Sequence, residues 1–328
     1  VYFLLLSMPA LLAGVGCSSS GADREPVGGG DSGPPGAGGD ATLDVTTNAA
    51  DAGAPEGAAD AANAATDGAK AATDGANAAT DAGPPQVVTD DAGTWHLVWS
   101  DEFDGPSVNT ANWTVKDEIV TNSNNELENY HPANVSIANG VLVLEARQQL
   151  DVELNDAGAD AGTKNYTSGA ITSLGLQSFK YGRILARIKL PATPGMWPSF
   201  WMMGDDVTTV PWPACGEIDI MEAKGRLPTE VYSSLHWGGD FTSTFTFPSG
   251  SDITGWHEYI LEWDATSIQY RVDYGPAYGQ HPTQNPFNQA FYLKLYLAVG
   301  GLFDGNVAPL PNMPPQQMLV DYVRVYQH

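Results

Sequence analysis

The chain has 328 residues, 39 acidic side chains against 14 Lys and Arg, a formal net charge of -25 and two cysteines. That field repels polyanions, so nucleic acid, anionic membrane surfaces and heavily sulfated polymers are poor partners in the absence of any clustered basic run, and a neutral glycan fits better. Cys17 and Cys215 form neither a disulfide framework nor a metal-ligand pattern.

Residues 1–16 read as a targeting segment. An apolar run from Tyr2 to Leu12 ends in Ala13-Gly14-Val15-Gly16 before Cys17, and it is too short to span a bilayer as a stable helix. Small residues before a cysteine and three serines resemble a bacterial lipoprotein processing site. The resemblance implies export, with Cys17 lipidated and the membrane reached only through that anchor. Gly14 stands where such sites usually have Leu, and no Lys or Arg precedes the run, which keeps an ordinary cleaved secretory signal and an extracellular protein as the alternative. Residues 17–93 are built from Ala, Gly, Asp, Thr and Pro and offer too little apolar surface to offset ordering entropy, so they read as a disordered linker. A seven-residue unit recurs there, Ala64 to Lys70 and Ala71 to Asn77, but it has no Leu, Ile or Val for a coiled-coil seam and a Gly in each copy opposes helix. Thirteen of the acids and two of the bases precede residue 94, which leaves 26 acids against 12 bases, a net of about -14, on the remainder.

From Thr94 to His328 the chain reads as one domain of short β-runs broken by Gly, Pro and Asn. Val135 to Ile137, Val141 to Leu144, Ile184 to Leu190, Val231 to Trp237, Glu258 to Trp263, Ile268 to Val272, Tyr292 to Val299 and Leu319 to Tyr326 are the clearest. Long helical periodicity is missing, which argues for an all-β fold, one large antiparallel sandwich. Leu150 to Lys164, rich in Asp, Ala and Gly, reads as an inserted loop. In the run Trp197 to Met203, alternation puts Trp197, Ser199, Trp201 and Met203 on one face, where two tryptophans can either stack against pyranose rings or pack in a core.

The most informative stretch is Gly216-Glu217-Ile218-Asp219-Ile220-Met221-Glu222-Ala223, with three carboxylates threaded through strand-forming apolar positions. Unpaired charges are costly in a half-buried strand, so the acids imply either solvent on that face or a task there. In a regular strand Glu217, Asp219 and Met221 share one face and Glu222 takes the other. One extra residue near Ile220 or Met221, a β-bulge, turns Glu222 round to join the first two. Two carboxylates on one wall suit glycosidic bond cleavage, one ionised as nucleophile and one protonated as acid, and Asp219 between them can push their proton affinities apart. Cys215 beside Gly216 reads as a small buried packing residue.

This stretch resembles the signature of family 16 glycoside hydrolases. Leu97 to Gly105, Asn124-Asn125-Glu126-Leu127, Tyr181-Gly182-Arg183, Gly195 to Trp201 and Val320 to Tyr326 are similar to further family segments in the same order. The resemblance covers roughly residues 94–328 and implies a jelly roll of two antiparallel sheets with a concave glycan cleft. It gives Glu217 as nucleophile, Asp219 as helper and Glu222 as acid/base. It also implies sugar contacts at Asn125, Trp197, Trp201, Trp212 and His236, and a structural calcium held at Glu102, Gly140 and Asp321, with no cofactor for catalysis. The implied activity is that of a retaining endo-β-1,3(4)-glucanase, or laminarinase, acting as a monomer. Ser168-Gly169-Ala170 departs from the Ser-Gly-Arg of many β-1,3-glucan enzymes, and Tyr296 stands where Asn is common, so fine specificity stays open. Agarose or galactan hydrolysis and wall-polymer transglycosylation are the alternatives on the same fold, and a non-catalytic glycan-binding module is the alternative of another class.

Overall fold

The computed structural model describes residues 83–328 apart from 121–123, 153–157, 159 and 161, all within the compact unit Gly75–His328. The targeting segment, Cys17 and residues 17–82 of the linker lie outside the described residues, as does much of the insertion between Leu150 and Lys164.

Two sheets face each other. One carries, in spatial order, the strands Asp240–Thr246, Glu230–His236, Glu217–Glu222, Met196–Gly204, Phe291–Val299, Ala170–Thr172 and Thr114–Val115. The other is centred on Gly182–Lys189, flanked by His257–Trp263 and by Gln316–Gln327. Pairing is antiparallel except where Glu128–Tyr130 runs parallel to Lys164–Ser168. Among the described residues the helical content is one 3-10 turn, Pro132–Asn134.

Alternation builds the core. On Phe291–Val299 the odd positions Phe291, Leu293, Leu295, Leu297 and Val299 are buried in the main core, while Lys294 and Tyr296 point the other way, into the cleft. Phe200 and Met202 continue the inner layer on the next strand, and Ile184, Ala186 and Ile188 meet them from the opposite sheet. Each such side chain contributes about 1.5–3 kcal/mol on burial, which fixes the register of every strand that carries them.

The structure moves the domain boundary. Val87–Asp90 pairs with Gly93–Asp101, so the expected boundary between 93 and 94 falls inside a hairpin. Trp95 from this hairpin packs on Leu185, Ile260 and Tyr326 on the outer face of the second sheet. Asp90 lies 2.6 Å from Nη2 of the buried Arg183, and Glu262 holds the same nitrogen at 2.6 Å. The segment was hidden in the sequence because its composition grades into the linker and its partner charge is nearly a hundred residues away.

The strand pairings bring the end of Gly93–Asp101 and the start of Val141–Asp151 to the same edge of Gln316–Gln327, one beyond each side of Asp321 along that strand. The three positions expected for calcium therefore converge, and the side chains of two of them are held by arginines. Asp321 Oδ2 is 2.7 Å from Arg187 Nη1, and both oxygens of Glu102 accept from Arg324 at 3.0 and 2.7 Å.

Candidate active site

The cleft is built on the Glu217–Glu222 strand, and its geometry follows from one extra residue. Against Met196–Gly204 the register runs Ser199 to Glu222, Phe200 to Met221, then Trp201 to Asp219. Against Glu230–His236 it runs Asp219 to Ser234, then Glu222 to Tyr232, three residues opposite two. Ile220 is thus the residue left over, and the bulge lies where the sequence places it. The physical reason is a competition for the core. A regular strand would bury Glu222 among apolar side chains and turn Met221 outward, whereas the bulge buries Ile218, Ile220 and Met221 together and turns Glu222 to the cleft. Burial of an unpaired carboxylate costs several kcal/mol, more than the locally disrupted ladder.

Glu217, Asp219 and Glu222 then line one cleft of about 500 Å³ with Trp197, Ser199, Trp201, Met203, Trp212, Lys294 and Tyr296. Gly216, at φ 83°, lets the chain enter this strand, since a Cβ there would meet Pro286 at 2.7 Å. Burial raises the proton affinity of all three acids, but their neighbours separate them. Glu222 is pushed up to about 8 by burial and then by the charge of Asp219, although Trp197 Nε1 donates to its Oε1 at 2.8 Å. Asp219 is pushed up to about 7 by burial and by Glu217. Glu217 is raised by burial, while the charges of His236 and Lys294 and a hydrogen bond from Trp212 pull it back. His236 lies opposite Glu217 in register, with Nε2 3.3 Å from Asp219 Oδ2 and Nδ1 2.6 Å from Asp240 Oδ1. The Asp219 contact, reinforced by Asp240 and opposed by burial, raises its pKa to about 10, so it is an imidazolium at neutral pH.

The result is a carboxyl held towards its protonated form, Glu222, and a second acid, Glu217, whose upward shift by burial is opposed by the two cations His236 and Lys294. Pairs of acids whose environments push their proton affinities apart are suited to acid and nucleophile roles. His236, which the resemblance gives as a sugar contact, is tied to the Asp219–Glu217 end of the site.

The aromatic residues are placed less freely than their spacing suggests. One face of Trp197 is stacked on Phe303, with ring centroids 5.1 Å apart and planes at 23°. Gly301 makes room for this, because a Cβ there would lie 2.8 Å from the Trp197 ring. One face of Trp201 is covered by Lys294, whose Nζ is 3.5 Å from the ring centroid. Trp212 is 54 % exposed at the rim and is the aromatic surface most open to a ligand. Asn125, at φ 59°, turns its side chain to Asn306 at 3.2 Å, and its neighbours Asn124 and Glu126 line the cleft instead. Lys294, Lys116, Glu118 and Tyr130 are cleft residues that sequence reasoning missed. For Lys294 the signal was present: a lysine in phase with Tyr292, Tyr296 and Ala298 on a strand whose other face is wholly apolar. Cys215 is buried and free, in keeping with a packing role.

The model of the glycosyl hydrolases family 16 matches residues 109–323. Glucan endo-1,3-beta-glucosidase A1 of Niallia circulans is 35% identical over 265 residues, covering 71% of this chain and 38% of that protein. The chain therefore spans well under half the length of that relative. Beta-glucanase of Rhodothermus marinus is 33% identical over 262 residues, covering 73% of this chain and 87% of the relative. The X-ray structure of endo-beta-1,3-glucanase from Pyrococcus furiosus superposes with a TM-score of 0.69 at 36% identity, covering 74% of this chain and 98% of that one. With the cleft, the bulged acidic strand and these likenesses together, the chain belongs to the family 16 glycosyl hydrolases.

Proposed function

We propose that this domain hydrolyses β-1,3 or mixed β-1,3/1,4 glucan at internal bonds, with retention of anomeric configuration. The observation that carries the reading is the bulge, which gathers an ionisable Glu217 and a proton-holding Glu222 in one cleft. In the first step the Glu217 carboxylate attacks the anomeric carbon while Glu222 gives its proton to the departing glycosidic oxygen, leaving a glycosyl ester on Glu217. In the second, the Glu222 carboxylate takes a proton from water as that water attacks the same carbon, and Glu217 leaves as carboxylate. Asp219, between His236 and Glu217, holds the nucleophile's orientation and spreads its charge.

The relatives named for β-1,3-glucan and β-glucan support the substrate class, and Ala170 and Tyr296, where the family pattern has Arg and Asn, are the positions that would set this chain's own preference. A reducing-sugar assay across laminarin, lichenan, agarose, carrageenan and xyloglucan tests it. Release from laminarin or lichenan is expected. Release only from agarose or carrageenan would make the enzyme a galactan hydrolase, and saturable binding with no release from any polymer would leave a binding module. Longer products in excess oligosaccharide acceptor would identify a transglycosylase.

Export is the second part of the proposal. It rests on the apolar run before Ala13-Gly14-Val15-Gly16-Cys17, with Cys17 as the acylated residue and residues 17–82 as tether. Labelled palmitate should enter the parent chain and be lost in Cys17→Ser. Label that persists in the variant would refute the anchor.

A further inference from the structure

Among the described residues, two hydrogen-bond donors of the cleft wall have no acceptor. Lys294 lines the cleft with its ammonium over the Trp201 ring at 3.5 Å and the Tyr296 ring at 4.7 Å, and it makes no hydrogen bond or ion pair among the described residues. Trp201 Nε1, beside it, is buried without an acceptor. A buried donor left unmade is costly, and the carboxylates near this ammonium act on it through space without accepting a hydrogen bond from it, so the arrangement persists where a ligand completes it.

The neighbouring residues are shaped to the same end. Tyr296 lies opposite Ala170 in register and packs with Ala170 and Tyr130, so a large ring fills the space above a small residue. One step along the same strand, Lys294 lies opposite Trp201 on one side and Thr172 on the other. The long cationic side chain of this wall is therefore Lys294, set across Trp201 from Asp219. The charged groups that act on it are Glu217, Glu118 and Asp219, which favour its charge, and Lys116, which opposes it. Lys116 is itself engaged by Glu118 at 2.7 Å, which leaves Lys294, among the described lysines that line the cleft, without a hydrogen-bonded partner. Burial lowers its pKa to about 8, so it still carries its charge at neutral pH.

Two donors side by side, one of them charged, match a group that accepts hydrogen bonds and offers none. A sugar hydroxyl brings a donor of its own and satisfies one of the two, whereas an anionic oxygen accepts from both. We propose that Lys294 and Trp201 form a subsite for a glucan ring bearing a single anionic substituent, a carboxylate or a sulfate ester, and that this chain thereby cleaves sparsely substituted β-glucan as well as plain polymer. The inference rests on the hydrolase reading above. It is compatible with the net charge of -25, which excludes dense polyanions but not a chain with occasional charges.

The test compares kcat/KM on laminarin, on laminarin partly oxidised to carboxylate at C6, and on sparsely sulfated laminarin, for the parent, Lys294→Met and Lys294→Arg, with melting temperatures as the check on folding. A charged hydrogen bond of this kind is worth roughly 10- to 100-fold, so Lys294→Met should lower the ratio of substituted to plain activity by about that factor and Lys294→Arg should keep most of it. The parent's preference should shrink at high salt. Loss on one substituted polymer alone identifies which anion the subsite takes. An equal fall on all three substrates, or a shifted acid limb of the pH profile with the ratio unchanged, would overturn the proposal and assign Lys294 to Glu217 instead. Inhibition of the parent by oxidised laminaritriose gives a reading that needs no variant: it should bind more tightly than laminaritriose, and equal or weaker binding overturns the subsite. A parent that cleaves no laminarin at all refutes the hydrolase reading, a separate outcome.

Discussion

Glu217→Gln is expected to reduce kcat on laminarin by at least about 10⁴-fold with little change in melting temperature, because the amide keeps the shape of the side chain but cannot form the glycosyl ester. The strand around it gives the reason for structural tolerance. Glu217 is only half-buried, and its neighbours Ile218 and Ile220, not Glu217 itself, carry the packing. A shortened side chain makes the chemistry directly readable. Glu217→Ala leaves room for azide, which attacks an activated β-laminaribioside from the vacated side and gives a glycosyl azide of inverted, α configuration. Recovery of the β-azide from this variant would mean that Glu217 is not the nucleophile, and parent-rate cleavage by Glu217→Gln would remove it from the mechanism altogether.

Glu222→Gln carries the second large effect, and here activity and stability move in opposite directions. Loss of the proton donor should lower kcat on polysaccharide by about 10² to 10⁴-fold, with a much smaller loss on a dinitrophenyl glycoside, whose leaving group needs no proton for the first step. The alkaline limb of the parent's kcat/KM profile, set by the Glu222 carboxyl near 8, should disappear. Stability follows from the same shift. A carboxyl whose folded-state pKa is raised stabilises the fold fully below its unfolded value, near 4.5, and that contribution is lost as pH rises through about 8. Asp219, near 7, titrates with it. At pH 8 the parent therefore bears buried charge that Glu222→Gln does not. The variant should melt higher at pH 8 by several degrees, at about 2–4 °C per kcal/mol for a domain of this size, and the gain should fade by pH 5. A melting temperature lowered equally at both pH values would show that Glu222 is a structural acid rather than a strained one.

The strands were legible because their patterning is local. Apolar alternation on Phe291–Val299 and acids set into Glu217–Glu222 announce both their form and their special face. The need for a bulge could be argued from Glu222, but not which residue it expels, since Ile220 and Met221 are equally apolar and the choice depends on Phe200 and Ser199 across the pair. What the sequence conceals is set by partners distant along the chain. Phe303 covers a face of Trp197 from over a hundred residues away, and Lys294 covers Trp201 through a strand register with no local signature. Asn125 shows the smallest such failure. One left-handed residue is enough to turn it to Asn306 and present Asn124 and Glu126 to the cleft. The hairpin at Val87–Asp90 was lost for a related reason, because what holds it is Arg183, Trp95 and the second sheet rather than its own composition.

The central claim is that one strand kink makes Glu217 and Glu222 a retaining pair. Proton NMR of laminarin oligosaccharide hydrolysis, read in the first minutes before mutarotation, measures it most directly. The new reducing end is expected to appear first as the β anomer and only later to equilibrate. First appearance of the α anomer would mean direct attack by water, and would contradict the role assigned to Glu217.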